Sequence, residues 1–124
     1  MSELKILLRN DRTAFRPGER IEGVAGWRLD RVPKSIELRL FWFTRGKGTE
    51  DVSVVHRLRF DSPQLEEGRP FSFDLPSEPY SFSGELISLI WALELVVEPD
   101  EESARVELVV APNGREIRLH PASS

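Results

Sequence analysis

The chain has 124 residues, of which 21 are acidic and 17 are basic, for a net charge of −4 at neutral pH. This length fits one domain, residues 1–124, and the acidic balance argues against a general nucleic-acid binder. The chain contains no cysteine, which excludes a disulfide scaffold, a zinc–thiolate site and a cysteine nucleophile. We therefore expect a folded, water-soluble domain.

The apolar segments are too short to cross a membrane as helices. The longest mostly apolar run, residues 86–97, is 12 residues long and is interrupted by Ser88 and Glu94. A bilayer-spanning helix needs about 20 residues, and residues 1–9 lack the apolar region of a secretory leader. We therefore expect no membrane insertion and a cytoplasmic location.

Nearly every segment alternates apolar and polar residues with a period of two, as β-strands do. In chain order, the predicted strands lie within residues 4–8, 21–29, 36–43, 52–60, 71–75, 86–98, 104–110 and 116–119. The sixth is the clearest, because six apolar residues occupy alternate positions from Ile87 to Val97. In this pattern Trp27, Trp42 and Trp91 point inward, and we interpret them as core residues.

Turn residues separate these strands. Pro17-Gly18 precedes the second strand, residues 45–48 close a hairpin, and residues 98–102 turn the sixth strand toward the seventh. Pro112-Asn113-Gly114 predicts a hairpin that returns residues 116–119 against the strand before them. Seven or eight short strands with this spacing predict an all-β, immunoglobulin-like sandwich of two antiparallel sheets.

Three segments resemble, in the same order, the N-terminal domain of arrestins. Phe15-Arg-Pro-Gly-Glu-Arg-Ile-Glu-Gly23 is similar to the arrestin opening turn, Pro70-Phe-Ser-Phe-Asp-Leu-Pro76 to a later strand, and Ser81-Phe-Ser-Gly84 to the bend that follows it. The resemblance covers residues 4–111 and implies an arrestin-like fold with a scaffold-type role. Within the motif, we expect Gly18 to allow a tight turn and Gly23 to mark a bulge or a close backbone approach.

The resemblance does not extend to every feature of arrestins. The two-domain arrestins have a buried charged cluster linked to a C-terminal tail, and no position in this chain matches that cluster. Receptor recognition is therefore not implied. Single-domain or shortened relatives of the bacterial sporulation-control type are the nearer resemblance.

The residues capable of catalysis or metal binding do not form recognisable sets. On a regular strand, Asp51 and Ser53 point outward and His56 points inward, so the three cannot converge as a triad. His56 and His120 are far apart and have no metal-ligand spacing. We therefore expect no enzyme activity, no metal and no cofactor.

The outward strand faces carry a second group of apolar residues: Phe41, Phe43, Val55, Ile90, Ala92 and Val96. Clustered on one sheet, they would form an apolar patch larger than a monomer usually exposes, unless loops or the N-terminal segment cover them. Arg45 and Lys47 in the adjacent hairpin tip are either solvated or a contact for an anion or an acidic partner. The candidate partner-binding residues are Phe41, Phe43, Ile90, Arg45 and Lys47.

These observations favour a non-enzymatic interaction or scaffold module. It would bind a protein partner, or a second copy of itself, through an exposed strand edge or the outward apolar patch. The alternative is a small-ligand or carbohydrate-binding sandwich accessory to an enzyme, which needs tryptophan side chains on an outward platform.

Overall fold

The computed structural model describes residues 2–46, 48, 50–84, 86–99 and 102–113, and the backbone of residues 117–118. The strands in these residues are β1 Glu3–Leu8, β2 Ala14–Phe15, β3 Arg20–Arg28, β4 Ser35–Gly46, β5 Val52–Arg59, β6 Glu66–Asp74, β7 Phe82–Ser83, β8 Ile87–Glu98, β9 Glu102–Val110 and β10 Ile117–Arg118. A 3₁₀ turn at Arg9–Asp11 follows β1. The seven longer strands match the first seven predicted strands, and β2, β7 and β10 have two residues each.

The strands form two sheets packed against each other, which confirms the predicted β-sandwich. The small sheet is antiparallel, with the order β1-β3-β6. The large sheet has the order β10-β7-β8-β4-β5, with β9 on β8 and β2 on β9. Its long pairings are antiparallel, whereas β2–β9 and β7–β10 are short parallel pairings. The expected return of residues 116–119 against β9 is wrong: the end of β9 is paired with β2, and β10 pairs with β7.

The core lies between the sheets and takes one face of each long strand, as the alternation predicted. The buried residues of β8 on this face are Leu89, Trp91, Leu93, Leu95 and Val97. Trp27 and Trp91 are buried, and their indole N–H groups donate to the carbonyl oxygens of Gln64 and Pro79 at 2.8 and 2.9 Å. Trp42 is half-buried against the same core. The tryptophans are therefore core residues and do not form the outward platform that carbohydrate binding would need.

A bulge in β5 reverses the predicted faces of the first half of that strand. Leu40 of β4 pairs with His56, but the next residue of β4 pairs with Val54, so Val55 is an extra residue. One extra residue inverts the alternation on one side of it. Val52 and Val54 therefore lie on the outer face, while Val55 packs against the core. The predicted outward orientation of Val55 is wrong for this reason.

The arrestin-like opening turn is held together by Glu19. Gly18 has a φ of +81°, a conformation that glycine adopts without steric penalty. The Glu19 carboxylate accepts hydrogen bonds from the Arg16 backbone N–H at 2.7 Å and from the Arg12 guanidinium at 2.6 Å. These bonds, above all the one from Arg12, lower the pKa of Glu19. One carboxylate thus fastens the turn that leads into β3.

Candidate functional site

The apolar patch predicted on the large sheet is mostly closed. Phe41 has only 5 % of its surface exposed, and Ala92 and Val96 are also buried. Phe43 and Ile90 face each other in register on β4 and β8 and are partly exposed. Phe41 therefore lies on the expected outer face but is covered, and its role as a contact residue stays a prediction.

Two arginines cover the aromatic rings of this face. The Arg105 guanidinium lies over Phe41 and Phe43, at 5.1 and 5.3 Å from the ring centroids, and Arg45 lies over Phe43 at 5.4 Å. Both arginines also form ion pairs with glutamates of β8 and β9, at 3.1 and 3.3 Å. Long cationic side chains can shield apolar surface while their charged ends stay in water. Strand alternation could not reveal this covering, because it depends on neighbouring strands.

An arginine-rimmed hollow of about 410 Å³ opens on this face. Its walls include Arg39, Phe41, Phe43, Val52, Val54 and Arg105. Arg45 also lines it, as one of the predicted partner-binding residues. Lys47, the other predicted hairpin residue, lies outside the described residues.

An exposed apolar row crosses the outer face of the small sheet. Leu7, Val24 and Pro70 lie opposite one another in register on β1, β3 and β6. Leu7 is 59 % exposed, Val24 is 40 % exposed, and Pro70 is exposed as well. Sequence reasoning missed this apolar row, because each member is a single apolar residue on the polar side of its strand. Only the strand register brings the three together.

Hollows of about 650 and 410 Å³ lie on the two sides of the apolar row. Gly23 lines the larger hollow, and Gly26 and Gly68 line the smaller one. A Cβ on Gly26 or Gly68 would have its nearest neighbour at 3.9 or 3.4 Å, so packing alone does not require glycine at these two positions. Because these glycines have no side chain, the apolar row projects above the surface on both sides of it.

The charges around the apolar row are balanced. Four basic and four acidic residues surround it: Lys5, Arg9, Arg20, Arg28, Glu3, Glu22, Glu66 and Asp74. Three ion pairs, Arg9–Glu22, Arg20–Asp74 and Arg28–Glu66, join six of them at 2.6, 2.9 and 3.1 Å. Exposed pairs of this kind contribute little to the stability of a fold. A docking surface for a strongly acidic or strongly basic partner would not have this balance.

The side chains considered for catalysis have structural contacts. Nε2 of the exposed His56 lies 2.9 Å from the carbonyl oxygen of Asp74, and its ring stacks on Phe73 with a centroid distance of 5.6 Å. The bulge places Ser53 on the same face as His56, so the predicted opposite faces are wrong. His120 lies outside the described residues. Among the residues described, no three His, Asp or Glu side chains are grouped as metal ligands would be.

Comparison with known proteins gives a fold rather than a family. No family model matches the chain, and no curated protein sequence matches it. Its structure is similar to that of the sporulation control protein Spo0M from Bacillus subtilis, with a TM-score of 0.63 and 20 % identity. The match covers 89 % of this chain and 49 % of Spo0M, so the chain spans about half the length of that protein. The fold is arrestin-like.

The arrestin-like sandwich is also similar to part of a β-glucosidase from Listeria innocua in complex with laminaribiose. That match has a TM-score of 0.49 and 14 % identity, and covers 94 % of this chain but 16 % of the enzyme. The similarity to Spo0M confirms the arrestin-like, sporulation-control-like resemblance at the level of fold.

Within the described residues, no helix has the length and apolarity needed to cross a membrane.

Proposed function

We propose that this arrestin-like domain is a non-enzymatic interaction module that docks a protein surface onto the outer face of its small sheet. The observation that carries the proposal is the apolar row of Leu7, Val24 and Pro70, exposed in register across all three strands. Contiguous exposed apolar surface of this kind often marks an interaction site. The engagement of His56 with a backbone carbonyl oxygen supports a role other than catalysis.

The chemistry of the small-sheet face favours an apolar partner surface with little net charge. Apolar contact with the row would supply affinity, while the balanced charges around it would give orientation. A second copy of the chain meets these requirements as well as a different protein does. The two occupants differ in the oligomeric state that they predict.

The first experiment is molar mass by light scattering over a range of concentrations, on wild type and on the double variant Leu7→Glu/Val24→Lys. This variant interrupts the apolar row without changing net charge. The matched control is Leu65→Glu/Val32→Lys, which makes the same replacements at exposed positions away from the row. A dimer that only the row variant dissociates would identify a second copy as the occupant.

A monomer would direct the test to another protein. The wild type would then be used to isolate a partner, and its affinity for the purified partner would be measured against both variants. We expect a loss of at least about tenfold with the row variant and little change with the control. Equal affinities for the two variants, or neither self-association nor a partner, would refute the proposal.

A further inference from the structure

The large sheet has an open edge at β5. This strand ends the sheet order, so the N–H and C=O groups along its outer edge have no strand partner within the described part of the chain. The edge strands of the small sheet differ: β6 contains Pro70, which lacks an N–H, and β1 lies close to β9. β5 has eight residues and no proline. Such an edge can accept an additional strand.

The outer face of β5 presents two valines and then two arginines. Val52 is 66 % exposed and Val54 is half-buried. Beyond the bulge, Arg57 and Arg59 are exposed on the same face. Arg57 has only a long contact with a glutamate, at 3.8 Å, and Arg59 has no ion-pair or hydrogen-bond partner among the described residues. A strand added here would place alternate side chains against two apolar and two cationic groups.

We propose that β5 binds an extended acidic peptide segment of a protein partner as an additional antiparallel strand. Two acidic side chains would meet Arg57 and Arg59, and two apolar ones would meet Val52 and Val54. We expect the antiparallel direction because antiparallel strand pairing is slightly more stable per residue than parallel pairing. This edge belongs to the sheet opposite the apolar row, so the inference does not depend on the proposed function.

Charge complementarity supports an acidic occupant. The charged residues on the outer face of the large sheet are Arg39, Arg45, Arg57, Arg59, Arg105, Glu37, Glu50, Glu94, Glu98 and Glu107. Arginine and glutamate are equal in number on this face, but they are not equally paired. The two arginines with the weakest internal pairing, Arg57 and Arg59, lie on the open edge itself.

The bulge at Val55 makes the edge selective. Bulges and charged side chains on edge strands prevent indiscriminate pairing. Here the bulge also separates an apolar half from a cationic half. A peptide must therefore carry its acidic and apolar residues in the order that matches the two halves of β5. This requirement favours one kind of partner segment.

The test measures the affinity of the whole chain for a fluorescent peptide, Glu-Thr-Glu-Thr-Val-Thr-Val, by anisotropy. We expect saturable binding that Arg57→Glu/Arg59→Glu weakens at least about tenfold. A peptide with lysine in place of glutamate should bind this variant better than it binds wild type. The control Arg9→Glu/Arg28→Glu makes the same change in net charge on the other sheet and should retain the wild-type affinity, because salt screens distant surface charges.

A second peptide separates strand addition from simple charge attraction. Methylation of alternate backbone nitrogens keeps both glutamates but removes the donors that a strand ladder needs. We expect this peptide not to bind. Equal binding of the methylated and unmodified peptides, or equal losses in the two arginine variants, would overturn the inference. Failure of the unmodified peptide to bind at millimolar concentration would also overturn the inference. The bulge and the charged side chains of β5 would then serve only to prevent strand pairing at this edge.

Discussion

The carbonyl oxygen of Leu7 occupies the space that a Cβ on Gly23 would need. The backbones of β1 and β3 approach each other there, and the Phe71 ring lies beneath, with its Cζ atom 2.9 Å from the same position. This is the close approach that a glycine inside a predicted strand indicated, and it is confirmed. It also shapes the larger hollow beside the apolar row, because Gly23 lines that hollow.

Gly23→Ala should therefore destabilise the fold, by about 1–3 kcal/mol, because the new methyl group must displace backbone or an aromatic ring. Gly26→Ala is the matched control on the same strand, where the nearest atom to a new Cβ is 3.9 Å away. It should leave the free energy of unfolding unchanged or raise it by up to about 1 kcal/mol, because alanine reduces the conformational entropy of the unfolded chain. Urea unfolding of both variants checks this, and equal losses would contradict the steric explanation.

Ser81 provides a buried polar contact between the bend before β7 and the end of β9. Its Oγ accepts a hydrogen bond from the Val110 N–H at 2.9 Å, and its own N–H donates to the Val110 carbonyl oxygen at 2.7 Å. Ser81→Ala would leave the Val110 N–H without this acceptor, and we expect a loss of about 1–3 kcal/mol. Exposed Ser72→Ala is the control. Unchanged thermal unfolding of Ser81→Ala would show that the hydroxyl is dispensable.

The opening turn makes a pH-dependent contribution to stability. Since hydrogen bonding from Arg12 lowers the pKa of folded Glu19, the ionised carboxylate stabilises the fold above its unfolded pKa, and this stabilisation is lost as pH falls through the folded pKa. Glu19→Gln should be less stable than wild type by about 0.5 kcal/mol at neutral pH, and the difference should shrink in acid. Chemical unfolding of both proteins at several pH values tests this. A difference that stays constant with pH would contradict it.

The faces of most strands were predictable because burial imposes a period of two on a strand with one face in the core. The alternation in β8 is the clearest case, since its inward residues from Leu89 to Val97 are all buried. The resemblance to arrestins added the tight turn at Gly18 and the close approach at Gly23. Both kinds of signal are local in the sequence.

The candidate sites were less predictable because they depend on how strands pair. The alternation around Val55 gives no sign of a bulge, which exists only relative to β4. Leu7 and Val24 are isolated in sequence and become neighbours through the β1–β3 register. Phe41 lies on the expected face, but a residue from β9, Arg105, covers it.

The position of Arg105 over the two phenylalanine rings can be tested by substitution. Arg105→Ala should expose Phe41 and Phe43, lower stability by about 1 kcal/mol through loss of the cation–π contacts, and increase the fluorescence of a dye that binds apolar surface. Arg57→Ala is the control, because it removes the same charge from the same face where no cation–π contact is found in the described residues. Equal dye binding by the two variants would mean that the rings are shielded by their neighbours in the sheet and not by Arg105.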